Sequence, residues 1–116
     1  MELSSLDFQQ ARIKQVLFKS RLRSVLYGVR EPDPTLFSLA DNPLGVWLRT
    51  TVQPKYGASL PYQRLEQELQ RMLLTGKSLV QQYQQGQLEE SRAGLEQLDK
   101  HASRIETLLQ DLEQLA

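Results

Sequence analysis

Apolar positions near the start of the chain recur at steps of three and four residues, which is the spacing of one face of an α-helix. These positions, with one glutamine among them, are Phe8, Ala11, Gln15, Phe18, Leu22 and Val25. Four further apolar residues widen the stripe: Ile13, Val16, Leu17 and Leu26. So wide a stripe predicts a helix that is contacted on more than one side. Ser4 or Ser5 supplies its N-cap, and Gly28 its C-terminal stop.

Two more amphipathic helices are predicted in the second half of the chain. The first begins after Ser59 and ends at Gly86, with a seam formed by Tyr62, Leu65, Leu69, Met72, Gly76, Leu79 and Tyr83. The second repeats the alternation at Leu88, Ser91, Leu95, Leu98, Ala102, Ile105, Leu109 and Leu112. Because a short connection joins two long helices, they should be antiparallel neighbours. Gly94 is expected to loosen or bend the last helix.

The segment 29–59 differs from the rest because it carries four prolines together with many large apolar side chains. It is predicted to be a partly helical loop packed onto the helices, with its best helical turn from Pro43 to Thr50. Trp47 is expected to anchor this loop. The whole chain, 1–116, is therefore predicted to be one all-α domain, a helical bundle with a long, partly helical loop between its first and second long helices.

Charge and composition exclude several classes of function. The 116 residues include 14 basic and 14 acidic side chains, one histidine and no cysteine. A balanced charge argues against broad nucleic-acid binding, and no apolar run approaches the roughly 20 residues that span a bilayer. The N-terminus lacks the pattern of a signal peptide, so we expect a cytoplasmic protein. Basic residues prevail in 1–60 and acidic ones in 61–116, which favours packing of the first helix against the last, or dimerisation near it.

The residues that carry chemistry do not form a catalytic pattern. His101 is one position off the last seam and is expected to be a surface or boundary residue. The carboxylates Glu66, Glu89 and Glu90 are expected on solvated helix faces, whereas acid–base catalysis needs two carboxyl groups in a sheltered cleft. No glycine-rich phosphate loop is present. The sequence thus predicts a protein that is not an enzyme and takes no cofactor.

One segment, Asn42 to Leu48, reads Asn-Pro-Leu-Gly-Val-Trp-Leu. It resembles the Cys-x-Leu-Gly-x-Trp-Leu signature of the chemoreceptor zinc-binding family, whose members are bacterial cytoplasmic four-helix bundles. Gln15 to Leu22 is similar to the His-x-x-Trp-Lys-x-x-Leu run in the first helix of that family, and Leu69 to Leu73 aligns with its His-x-x-x-His. The similarity covers roughly residues 7 to 112.

The chain departs from this family at every zinc ligand. Where the family has three histidines and one cysteine, this sequence has Gln15, Asn42, Leu69 and Leu73. Leucine has no lone pair for zinc, and amides are poor substitutes for imidazole and thiolate. The resemblance therefore implies an antiparallel four-helix bundle without metal, in which Leu69 and Leu73 fill the former metal cavity with Phe18. The two amides are expected to hydrogen-bond across the seam between the loop and the first helix.

Together these features predict a non-catalytic, metal-free, sensor-like or protein-interaction module of bacterial signal transduction. The predicted partner surface is the basic side of the first helix, Arg12, Lys19 and Arg23, and a homodimer is a further possibility. The alternative is a small-molecule sensor that uses the former zinc cavity, with Phe18, Trp47 and Tyr62 as binding residues. For Trp47, a plain core position is the simpler interpretation.

Overall fold

The computed structural model describes residues 3–116, so Met1 and Glu2 of the predicted domain lie outside the described residues. In this range the chain is all-helical. Six α-helices follow one another: α1 (Ser5–Leu26), α2 (Pro43–Trp47), α3 (Gln53–Tyr56), α4 (Leu60–Gln84), α5 (Leu88–Ala93) and α6 (Leu95–Leu115). A 3₁₀ turn occupies Pro34–Phe37, and a π-helical turn at Leu48–Val52 links α2 to α3.

Both predicted ends of α1 are confirmed. Ser4 and Asp7 form a capping box, in which the Ser4 amide donates to the Asp7 carboxylate at 2.8 Å and the Asp7 amide donates to the Ser4 hydroxyl at 3.3 Å. At the other end Gly28 has φ of +76°, a conformation that favours glycine. The amide of Val29 then donates to the carbonyl of Ser24 at 2.9 Å, which satisfies one of the last carbonyls of the helix.

Helical turns in the loop segment are confirmed, and they extend beyond the predicted end at Thr50. The side chain of Asn42 caps α2, and Pro43 occupies its first turn. From there α2, the π-helical turn and α3 follow without a break, and Leu44, Leu48 and Val52 are buried along them. The ring of Trp47 meets that of Phe8 edge-on, with centroids 5.7 Å apart, so this tryptophan anchors the segment to α1 as predicted.

The long helices α1, α4 and α6 all contact one another and share one hydrophobic core. Phe18 of α1 packs edge-on against Phe37 of the 3₁₀ turn, with ring centroids 5.9 Å apart. Gly76 of α4 allows this approach, since a Cβ atom there would lie 3.0 Å from the Phe18 ring. Leu69 and Leu73 are buried in the same core, with 0% and 2% of their surface exposed.

The last predicted helix is interrupted at Gly94, which separates α5 from α6. A Cβ atom on Gly94 would lie only 2.3 Å from Cδ2 of Leu79 on α4. The glycine therefore lets α4 approach closely at the point where the helix is interrupted. The predicted seam is buried at Ser91 and Leu98, whereas Leu88 at its start is exposed.

One prediction about α1 is wrong. Of the four residues that widen its stripe, only Leu26 is buried. Ile13, Val16 and Leu17 expose 59%, 68% and 45% of their surface, because the elements that pack on α1 leave most of that side uncovered. The loop reaches only its edge, where Leu36 and Pro43 line a small cavity with Leu17.

Candidate functional site

The four positions that align with zinc ligands do not fit a metal ion. Leu69 and Leu73 offer only hydrocarbon, and both are buried as predicted. Gln15 and Asn42 are also buried, with 8% and 2% exposed, but both amides are engaged elsewhere. Within residues 3–116 no group of three or more His, Asp or Glu side chains is placed to hold a metal. These residues are built to close a core, and zinc chemistry cannot be carried over to them.

The predicted hydrogen bond between the loop and α1 through Gln15 and Asn42 is wrong. The amide of Gln15 donates to the carbonyl of Ala102 at 2.9 Å, which ties α1 to α6. The amide of Asn42 donates to the carbonyl of Leu36 at 2.8 Å, and its oxygen accepts from the backbone amide of Leu44 at 3.0 Å. Both side chains satisfy buried backbone groups, so each has a structural role of its own.

The interior near these positions has little room for a ligand. A small cavity lined in part by Phe18, Leu36 and Asn42 has a volume of about 30 Å³. That volume suits a water molecule, whereas sites for organic ligands occupy some 300 Å³ or more. Trp47 and Tyr62 do not line this cavity. The structure therefore does not bring the three predicted binding residues, Phe18, Trp47 and Tyr62, together around a common space.

Tyr62 lies in a different environment, near the start of α4. It is 3% exposed, and its hydroxyl donates to the carboxylate of Glu66 at 2.7 Å. Burial, together with this hydrogen bond to a carboxylate, raises the pKa of the Tyr62 phenol above its usual value near 10. The phenol therefore stays protonated and serves as a fixed donor. Glu66, predicted to lie on a solvated helix face, is half-buried.

The predicted partner surface of Arg12, Lys19 and Arg23 is used largely inside the molecule. Arg12 donates to Glu106 at 2.8 Å and to Glu113 at 3.1 Å, and Lys19 pairs with Asp99. Burial alone would lower the pKa of Arg12, but its hydrogen bonds to the two carboxylates raise it. These contacts confirm that basic α1 packs against acidic α6. Arg23 stacks on the ring of Tyr27 with 5.6 Å between guanidinium and ring centroid.

A buried carboxylate on α4, Glu68, is the polar centre that sequence reasoning missed. Its side chain is 3% exposed and lies 3.3 Å from Nδ1 of His101 and 3.3 Å from the guanidinium of Arg104, both on α6. Arg71 of its own helix is 3.7 Å away, and the other ring nitrogen of His101 is 3.2 Å from the hydroxyl of Thr75. The only local sign of this buried carboxylate in the sequence is its position beside the seam of α4, with Arg71 three residues later.

The geometry around Glu68 favours a structural role. Each oxygen of the carboxylate faces a cationic or hydrogen-bonding side chain, as a buried charge requires. His101 is half-buried at the boundary of the core, as predicted, yet its carboxylate partner is Glu68 and not one of its neighbours on α6. The cluster joins α4 to α6, and the imidazole of His101 lies between the hydroxyl of Thr75 and the carboxylate of Glu68. An open groove of about 510 Å³ lies beside it, lined by Arg64, Gln67, Glu68, Arg71, Ser103, Arg104, Thr107 and Leu108.

The most distinctive surface is the side of α1 that faces away from the core. We call it the outer face of α1 and define it by Leu6, Gln9, Gln10, Ile13, Val16, Leu17, Ser20 and Ser24. Its residues lie opposite the buried stripe on a helix with 3.6 residues per turn. None of the eight is charged, and four are aliphatic. Leu6 is 60% exposed, so with Ile13, Val16 and Leu17 it presents an apolar surface to solvent.

Basic residues border the outer face of α1. Lys14 and Arg21 lie along one edge and Arg23 lies along the other. In the described part of the chain, neither Lys14 nor Arg21 is within ion-pair distance of a carboxylate. Such an uncharged strip with apolar side chains and a polar border is typical of a surface that binds another molecule.

No helix in residues 3–116 is both long and apolar enough to cross a membrane. No family model matches the sequence, and no curated protein or solved structure is significantly similar to it.

Proposed function

We propose that this protein is a non-catalytic interaction module of a bacterial signalling pathway and that it acts by docking another polypeptide on the outer face of α1. The observation that carries the proposal is the exposure of Leu6, Ile13, Val16 and Leu17 on one uncharged strip. Burying a leucine or isoleucine side chain is worth about 1.5–3 kcal/mol, so covering this strip provides a substantial driving force for association.

The setting within bacterial signalling rests on the resemblance of Asn42–Leu48 and its surroundings to the chemoreceptor zinc-binding family. In keeping with that resemblance we infer a cytoplasmic protein and a bundle of the long helices, in which α6 runs antiparallel to both α1 and α4 while α1 and α4 run parallel to each other. Two sets of contacts support the bundle: Arg12 and Lys19 of α1 reach Glu106 and Asp99 of α6 in reverse order along the chain. The contacts between α4 and α6 also run in reverse order along the chain: Leu79 lies against Gly94, whereas Glu68, earlier on α4, pairs with Arg104, later on α6.

A metal-free and non-catalytic mode of action is supported by the side chains themselves. Leu69 and Leu73 supply hydrocarbon where the family has ligands, and the buried carboxylate of Glu68 is paired with Arg104 and contacts His101. The alternative, a small-molecule sensor, gains no support from the cavity of about 30 Å³ beside Phe18. Docking of a polypeptide is therefore the function that the geometry favours.

Site-specific photo-crosslinking in the native cell tests this proposal. A photoreactive phenylalanine analogue replaces Val16 on the outer face of α1 or, as the matched control, Leu74 on α4, since the two side chains are 68% and 60% exposed. We expect an adduct of defined mass from position 16 and none from position 74. Identification of the attached chain as a receptor, kinase or nucleotide cyclase would support the signalling role. Equal yields at both positions, or no adduct at position 16, would refute docking on this face.

A further inference from the structure

We infer that the outer face of α1 takes an amphipathic helix of a different protein, one whose apolar stripe is bordered by acidic residues. This inference rests on the proposed docking function and specifies the chemistry of the partner. Three features of α1 support it: the spacing of its exposed residues, the charges along its edges, and the ion pairs that its other basic residues form with α6.

The exposed residues follow the spacing of a coiled-coil seam. Steps of four and three residues connect Leu6, Gln10, Ile13, Leu17, Ser20 and Ser24. This alternation places all six side chains on one line along the helix, where a second helix can pack against them. The first part of the seam has three aliphatic side chains and Gln10, and the second part has two serines, whose small side chains permit close approach of a partner backbone.

The charges beside this seam are almost all positive. Lys14 and Arg21 occupy the positions next to the seam on one side, and Arg23 occupies the corresponding position on the other. Asp7 is the only acidic residue in Ser5–Leu26, and its carboxylate accepts hydrogen bonds from the amide and hydroxyl of Ser4. Residues at these flanking positions select the partner of a coiled coil, so a helix with glutamate or aspartate opposite them is favoured.

The molecule already contains one example of this pairing. On the side of α1 that faces the core, Arg12 binds Glu106 and Glu113 of α6, and Lys19 pairs with Asp99. An acidic helix thus neutralises the basic residues of α1 on that side. The acidic partner that we infer would do the same for Lys14 and Arg21, which lie on the other side of the helix.

Two other occupants fit the surface less well. A second copy of this chain would bring the basic borders of two α1 helices together, and like charges across an interface disfavour association. A membrane surface is the other option, but the outer face of α1 has no aromatic residue, and glutamines and serines alternate with its aliphatic side chains. Interfacial helices carry a more continuous apolar surface with Trp, Phe and Leu.

Binding of two synthetic peptides to the full chain tests the inference. Both are amphipathic helices of about three heptads with the same leucine seam, one flanked by glutamate and the other by lysine. We expect the acidic peptide to bind about tenfold more tightly at low salt, with the difference shrinking as salt is added. Reversing the border with Lys14→Glu and Arg21→Glu should transfer the preference to the basic peptide, whereas Lys77→Glu on α4 should leave it unchanged. Ile13→Ser should weaken both peptides, and Leu74→Ser neither.

Each contrary result would overturn a different part of the inference. Equal affinity for the two peptides would overturn the acidic chemistry of the partner. A dimer of the chain alone in sedimentation, dissociated by Ile13→Ser, would overturn the choice of a different protein while leaving docking on this face intact. Binding to phosphatidylserine vesicles that depends on Ile13, with neither peptide bound, would assign the surface to a membrane and overturn the inference. Circular dichroism of every variant controls for folding.

Discussion

Replacing Leu73 with alanine tests whether hydrocarbon closes the core where the resembling family has zinc ligands. Leu73 is 2% exposed, and its neighbour Leu74 on the same helix is 60% exposed. The pair is therefore a matched comparison, since helix propensity and chemistry of the substitution are identical and only burial differs. We expect Leu73→Ala to be strongly destabilising and Leu74→Ala to change the free energy of unfolding by less than about 0.5 kcal/mol.

The expected magnitude follows from the carbons removed. Three buried carbon atoms at about 0.8 kcal/mol each give roughly 2.4 kcal/mol, and the cavity left behind adds to this because the surroundings relax only in part. We therefore expect a loss of about 3 kcal/mol, within the range of about 2–5 kcal/mol for buried leucines. For a domain of 116 residues the entropy of unfolding is about 240 cal/mol/K, so the melting temperature should fall by about 12 °C.

Urea denaturation monitored by circular dichroism measures both variants, with the slope of the transition as a check that each still unfolds in one step. Leu69→Ala, at a fully buried site one turn earlier on α4, should behave like Leu73→Ala. The reasoning fails if Leu73→Ala costs no more than Leu74→Ala, since a well-packed core cannot lose a leucine side chain without loss of stability.

Further perturbations address the loop, the α1–α4 contact and Tyr62. Asn42→Ala should cost about 1–3 kcal/mol in urea denaturation, because a buried cap and its backbone partners lose their hydrogen bonds, and Asn42→Asp should cost at least as much, because it places a buried carboxylate against the carbonyl of Leu36. Gly76→Ala should lower the melting temperature by overpacking against Phe18. Because the folded state raises the pKa of Tyr62, its contribution to stability is present below about pH 10 and is lost as pH rises further. We therefore expect the free energy of unfolding to fall less between pH 9 and pH 11 for Tyr62→Phe than for the unchanged protein, as measured by urea denaturation at both pH values.

Local signals in the sequence were sufficient to predict the helices of this protein. Ser4 and Gly28 mark the ends of α1, and Ser59 and Gly86 mark those of α4, because capping chemistry depends on residues adjacent in the chain. The helical loop was predicted too short because its continuation is unusual. A π-helical turn carries the chain from α2 to α3, and it is held by the burial of Leu48 and Val52, a tertiary effect that no local rule reveals.

Side-chain partners were harder to predict than helices. The roles of Gln15 and Asn42 follow from which backbone carbonyl lies nearby, and that depends on the rotation and offset of neighbouring elements. Glu68 is an instructive case, since a glutamate beside a seam is usually solvated. Only the arrival of His101 and Arg104 from α6 makes its burial tolerable, and those residues are more than thirty positions away in the sequence.

The wide apolar stripe of α1 still indicates a contact, although the prediction that this contact lies within the chain was wrong. Ile13, Val16 and Leu17 indicate contact on a second side, and the described part of the chain supplies none there. α1 meets acidic α6 through Arg12 and Lys19, so its inner charges are neutralised while Lys14 and Arg21 stay beside an uncharged strip. Scattered exposed leucines need no explanation, but four aliphatic side chains on one face of a helix, bordered by cations, do. The same pattern that predicts a helix in contact on two sides therefore predicts a partner, and the charges along its border describe what that partner must carry.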